Sequence, residues 1–86
     1  MNQAQSPNAL IRVMPAIVAL AESRSSFYAK AAAGILTSPI KTGLRSAALP
    51  VREIEALNAA RIAGVSEAGM KALVQRLHAE RVQVGA

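Results

Sequence analysis

The placement of proline and glycine constrains this chain more than any other feature. Pro15, Gly34, Pro39, Gly43, Pro50 and Gly64 cut it into short segments, and the flanks of each segment suit one element. Pro15 fits the first turn of a helix, where the N–H that proline lacks would have no intrahelical partner. That helix runs to about Ala21, with Ile17 and Leu20 on its buried side. Ser23 is a favourable N-cap for a second helix through about Ala33, which Gly34 ends. Only Glu22 separates the first helix from that cap, so the two must cross steeply, as in a helix-turn-helix. Leu10-Ile11-Arg12-Val13 reads as a short strand ahead of them.

After Gly34 the pattern changes. Between Ile35 and Leu49, Pro39, Gly43 and Ser46 punctuate short apolar pieces, which predicts a β-hairpin with Thr42-Gly43-Leu44 at its tip. Pro50 opens a third helix to about Ala63, with Glu53 in the first turn favoured by the helix dipole and Ile54 and Leu57 on one face. Gly64 stops it. Ser66 then caps a fourth helix ending near Arg81, with Val65 and Met70 as a hydrophobic staple. The expected fold is mostly α with a small β-hairpin, a winged helix-turn-helix with an extra C-terminal helix. It divides into a flexible N-terminal arm (1–9), a winged helix-turn-helix DNA-binding domain (10–63) and a C-terminal amphipathic helix and tail (64–86).

The charge pattern singles out one part of this frame. From Ser23 to Arg52 there is no acidic side chain, yet Arg24, Lys30, Lys41, Arg45 and Arg52 all fall there. The five remaining cations, Arg12, Arg61, Lys71, Arg76 and Arg81, are matched in number by Glu22, Glu53, Glu55, Glu67 and Glu80, so this window carries the whole formal net charge of +5. A positive field confined to one helix and one hairpin points to a polyanion-binding face. In a winged helix-turn-helix the second helix enters the major groove of double-stranded DNA and the wing reaches phosphates or the minor groove. At 100° per residue Phe27 and Ala31 fall on the core side, and Ser25, Tyr28, Ala29 and Ala32 face the groove. The recognition-helix set is Ser23, Arg24, Ser25, Ser26, Tyr28, Ala29, Lys30 and Ala32, and the wing set is Lys41, Thr42, Gly43 and Arg45. Arg24 can reach a guanine edge or a phosphate, the hydroxyls offer hydrogen bonds, and the alanines allow close approach or a thymine-methyl contact. Arg12 and Arg52 are further candidates for phosphate contact.

Other chemistries find little support. With 86 residues the chain buries roughly 60–65% of its unfolded surface, too little for a deep enzyme pocket. Its 52% apolar content overstates the core, because 19 residues are alanine. There is no cysteine for a disulfide, zinc finger or thiol chemistry, and His78 stands alone, so neither a metal site nor a cofactor is expected. His78 sits near the expected end of a helix, a favourable place for a partly charged ring. Glu53 and Glu55, two apart on a helix, point away from each other, and Ser23, Ser25 and Ser26 have no histidine close in sequence. An enzyme is not expected. Residues 1–9 show neither the charge nor the apolar run of a signal peptide, and the longest uncharged stretch bounded by charges, the ten residues Ala31 to Ile40, is far short of the roughly 20 that span a bilayer. The expectation is a bacterial cytoplasmic protein, nucleoid-associated when bound, with no membrane partner.

Leu10-Ile11-Arg12, then Ser23-Arg24-Ser25 with Tyr28, then Gly34, then Pro39, Lys41, Gly43 and Arg45, then Glu53 stand in one ungapped series. In that order and spacing the chain resembles the AlpA-type phage and prophage regulators, relatives of the excisionases and the MerR-like winged-helix group. The resemblance covers about residues 10–60. It departs from the family pattern in Leu49 and Leu57, where tryptophans are usual, and in Ala21, where the turn glycine is usual. The resemblance implies a DNA-binding protein of a mobile element. One form is an excisionase, or recombination directionality factor, that binds and bends attachment-site DNA beside a site-specific integrase. The other is a transcriptional regulator of integrase or excision genes.

The fourth helix lies outside the resemblance. Met70, Leu73, Val74 and Leu77 recur at i, i+3, i+4 and i+7. That stripe either completes a core short of large side chains or forms a self-association surface joining protomers on DNA. A third reading, a helical protein-interaction adaptor with incidental charge, rests on the same stripe.

Overall fold

The computed structural model describes residues 9–85, with side chains through Arg81. In chain order it runs β1 (Leu10–Arg12), α1 (Val13–Ala19), α2 (Arg24–Ala32), β2 (Ile40–Lys41), β3 (Ala47–Pro50), α3 (Val51–Ile62) and α4 (Glu67–Gly85). This is a winged helix-turn-helix: four helices around a small antiparallel sheet of order β1-β3-β2. The central strand β3 places Leu49 opposite Ile11 of β1, and Ala48 between Arg12 of β1 and Ile40 of β2. Residues 1–8 of the expected arm lie outside the described residues. Ala9 is tied down, its carbonyl accepting from Val51 N–H at 2.9 Å.

Three of the helix ends use one device. After α2, Gly34 N–H donates to Ala31 and Ile35 N–H to Lys30; after α3, Gly64 N–H donates to Arg61 and Val65 N–H to Ala60. Each pair satisfies two of the carbonyls that a helix end leaves free, and each needs a left-handed residue, supplied by Gly34 at φ 82° and Gly64 at φ 77°. The end of α1 repeats the bonds, Ala21 N–H to Val18 and Glu22 N–H to Ile17, but the left-handed residue is Ala21, at φ 57°. The turn therefore keeps the geometry that a glycine usually provides, at the steric penalty of a Cβ.

What holds that turn comes from α3. Asn58 Nδ2 donates to the Ala19 carbonyl at 3.0 Å, and Arg61 Nη1 to the Leu20 carbonyl at 2.6 Å. Arg61 Nη2 also donates to the Glu22 carboxylate, which accepts from Lys30 Nζ at 2.8 Å and Ser26 Oγ at 2.6 Å. The Glu22 side chain is only 4% exposed. It is the node that fixes α2 against α1 and α3.

The core gathers Ile17 and Leu20 from the α1 end, Phe27 from α2, Leu36, Leu49 from β3, Ile54 and Leu57 from α3, and Met70, Val74 and Leu77 from α4. Leu49 and Leu57, at positions where the resembled family carries tryptophan, are fully buried. The α4 stripe is thus core: Met70, Val74 and Leu77 are buried, and Leu73 packs partly buried against them. This corrects the reading of Met70, Leu73, Val74 and Leu77 as a self-association surface, because the monomer already covers them. It also removes the boundary at 63/64, since residues beyond Gly64 share the core of those before it.

Further along, the α4 stripe turns polar and grips the base of the wing. Arg81 donates from Nε and Nη2 to both Glu53 oxygens, each at 2.7 Å, and from Nη2 to the Ser38 carbonyl at 2.7 Å. Ser38 N–H donates to His78 Nε2 at 3.2 Å. Glu53 is fully buried. Its place in the first turn of α3 was legible in the sequence; its partner 28 residues away was not. The helix itself extends to Gly85, about a turn beyond the expected end, so His78 is not at a helix C-terminus. Burial, followed by the charge of Arg81, pushes the His78 pKa below its ordinary value, and Glu53 only partly counters this. The ring is held as a neutral acceptor, which corrects the expectation of a partly charged one.

Candidate nucleic-acid interface

Helix α2 begins at Arg24 because Ser23 and Ser26 close a capping box. Ser26 N–H donates to Ser23 Oγ at 3.1 Å, and Ser23 N–H to Ser26 Oγ at 3.0 Å. Such a cap stabilises a helix by about 0.5–2 kcal/mol. Ser23 and Ser26, expected among the DNA-contacting residues, are thereby engaged in shaping the helix start. Lys30 is likewise engaged, in an ion pair with Glu22. That pairing, across the turn between the first two helices, corrects its place among the free cations of the recognition helix.

The rest of the helix presents the expected face. Arg24, Ser25, Tyr28, Ala29 and Ala32 are exposed, Phe27 is buried, and Ala31 is half-buried. Tyr28 leans edge-on against Phe27, with ring centroids 5.1 Å apart. The core therefore orients the tyrosine while leaving 42% of it accessible. Three of the five exposed residues are small or nearly so, leaving a low ridge with Arg24 at one end and Tyr28 at its middle.

The wing is a tight device. Lys41 pairs with Ala47, and the hairpin closes through Thr42 N–H donating to the Ser46 carbonyl at 3.0 Å and Thr42 Oγ1 to Ser46 Oγ at 3.1 Å. A Cβ at Gly43 would stand 2.8 Å from Ser46 Oγ, so the glycine leaves room for that closure. Lys41, Thr42, Gly43 and Arg45 are all exposed. The apex is Leu44, at 90% exposure. The sequence marked this residue only as part of the tip.

Arg12 and Arg52 take different positions. Arg12 is exposed at the end of β1, opposite Ala48, whereas Lys41 is opposite Ala47. Successive positions of a pleated strand face opposite sides, so the register does not bring Arg12 onto the Lys41 face. Arg52 is half-buried in the first turn of α3, with its Nε buried and without a hydrogen-bond partner among the described residues.

Electrostatically the acid-free window is breached at one place, Lys30, which pairs with Glu22 just outside it. Every ion pair among the described residues joins Glu22, Glu53, Glu67 or Glu80 to Lys30, Arg61, Lys71, Arg76 or Arg81. Arg24, Lys41 and Arg45 have no carboxylate within 4.0 Å among the described residues, and all three are exposed. A cavity of about 150 Å³ opens elsewhere, between Leu36 and Met70, with Lys30 and Arg61 at its rim. Both cations are already committed to Glu22. Among the described residues no three His, Asp or Glu side chains gather to hold a metal ion, and no helix is long and apolar enough to cross a membrane. No family model, curated protein or solved structure matches the chain.

Proposed function

We propose that the chain is a double-stranded DNA-binding protein of a mobile element, acting in the bacterial cytoplasm as an excisionase that binds and bends attachment-site DNA. The observation that carries the reading is the placement of three exposed cations, Arg24 at the start of α2 and Lys41 and Arg45 on the wing, each without a carboxylate within 4.0 Å among the described residues, in a winged helix-turn-helix. Helix α2 enters the major groove. Its low ridge of Ser25, Ala29 and Ala32 permits close approach, Tyr28 supplies a hydroxyl, and Arg24 reads a guanine edge or clamps a phosphate. The wing holds the adjacent backbone through Lys41 and Arg45.

A single module of this size binds with modest specificity, so useful action requires several copies on adjacent sites, beside an integrase. With the α4 stripe buried, contacts between copies use other surfaces, or are made through the DNA itself. The resemblance to AlpA-type regulators supports the same chemistry with a second outcome, control of integrase or excision genes. Footprinting across an attachment region and its neighbouring promoters separates the two. An extended protected tract within the attachment region supports excision; protection confined to a promoter replaces it with transcriptional control. If the intact protein protects neither, and binds no more tightly than its Arg24→Ala variant, both readings fall; the adaptor reading is no refuge, because the α4 stripe it rests on is core.

A further inference from the structure

The most exposed large apolar side chain among the described residues is Leu44, 90% accessible at the apex of the wing. Nothing in the fold uses it: it is absent from the core and from the side chains packed against the core. Its surroundings are specific. Lys41 lies three residues before it and Arg45 directly after it, both exposed and without a carboxylate within 4.0 Å among the described residues. The two hydrogen bonds between Thr42 and Ser46 close the loop around it, so the leucine is displayed on a fixed turn. A docking face for another protein would need a patch of about 800 Å². Its immediate neighbours Gly43 and Arg45 extend no apolar surface.

We infer that Leu44 is a wedge that enters the minor groove and partly unstacks one base step, while Lys41 and Arg45 hold the phosphates on either side. Apolar side chains inserted in this way kink DNA toward the major groove by about 20–90°, and flexible pyrimidine–purine steps yield most readily. The inference rests on the DNA-binding reading and adds to it a residue that bends rather than binds. It assigns three side chains to two separable jobs: the cations set affinity and its salt dependence, and the leucine sets the bend.

The test uses a short duplex with a single central TA step, carrying donor and acceptor dyes at its ends, and in a second version 2-aminopurine at that step. Intact protein should shorten the end-to-end distance and brighten the 2-aminopurine. Leu44→Ala, at an exposed site where folding is not at risk, should bind within about tenfold of the intact chain with the same salt slope, yet leave the duplex near its unbent length and the probe dark. Lys41→Ala should do the reverse, weakening binding while saturated complexes remain bent. If Leu44→Ala bends and unstacks the duplex as the intact protein does, the wedge is wrong and the DNA-binding reading stands. If the intact protein fails to bind the duplex even at low salt, the DNA-binding reading falls and the wedge with it.

Discussion

Ala21→Gly should stabilise the protein, although it removes a side chain and touches no core residue. Ala21 closes α1 in the left-handed region, at φ 57°, where the ends of α2 and α3 use glycine. A left-handed L-residue costs about 1–2 kcal/mol, from the clash of Cβ with the following carbonyl. Glycine escapes that clash but gives the unfolded chain more freedom, which offsets about 0.4–1 kcal/mol. The net expectation is a gain of roughly 0.5–1 kcal/mol, or about 2–8 °C in Tm for a domain of this size. Gly64→Ala is the mirror control: its new Cβ would meet nothing within 4 Å, so its loss reports backbone strain alone. Urea titration and calorimetry on the two variants and the parent measure both terms. If Ala21→Gly lowers the midpoint while Gly64→Ala also lowers it, backbone strain is not what distinguishes the two turns, and the reasoning fails.

Other outcomes follow from the ion pairs and the core. Glu53→Gln or Arg81→Met alone should destabilise by about 3–5 kcal/mol, because each strands a partner, whereas the double variant should recover a substantial part; additive losses in urea would contradict this. Burial pushes the Glu22 pKa up, but hydrogen bonds from Lys30, Ser26 and Arg61 outweigh it and hold it below its ordinary 4.5. Stability from this group is therefore complete above that value and lost as pH falls through the folded pKa. His78 is also held down, from 6.5, so between 6.5 and its lower folded pKa the unfolded chain binds more protons and stability falls as pH drops. His78→Gln should flatten that first window and leave the Glu22 window in place; an unchanged pH profile would refute the assignment. Truncation after Ala63 should unfold the chain. Met70, Val74 and Leu77 bury side chains contributing about 1.5–3 kcal/mol each, against a total stability of about 4–13 kcal/mol for 86 residues. A cooperative thermal transition in the truncated form would show otherwise.

Local chemistry explains which features were legible in the sequence. Ser23, Gly34, Pro50 and Gly64 mark element boundaries because capping, left-handed backbone and the missing proline N–H act within a few residues. The core side of α2 followed from its 100° periodicity, and Phe27 and Tyr28 stand where that period puts them. Periodicity identifies a face but not what covers it, so the α4 stripe could be read as core or as assembly surface. Pairings across the fold were out of reach for the same reason. Glu22 to Arg61 spans 39 residues and Glu53 to Arg81 spans 28, and counting charges fixes no partner. The equal numbers of acids and bases outside the window concealed that Glu22 pairs with Lys30 from inside it.

If Arg24, Lys41 and Arg45 are the phosphate-contacting set, the salt dependence of DNA binding counts them. With three contacts, a plot of log K against log salt for one bound protomer should slope near −2.7, from about −0.9 per phosphate. Arg24→Ala or Lys41→Ala should each bring that slope to about −1.8. A slope near zero, or one that neither substitution changes, would mean that these cations do not hold the phosphates.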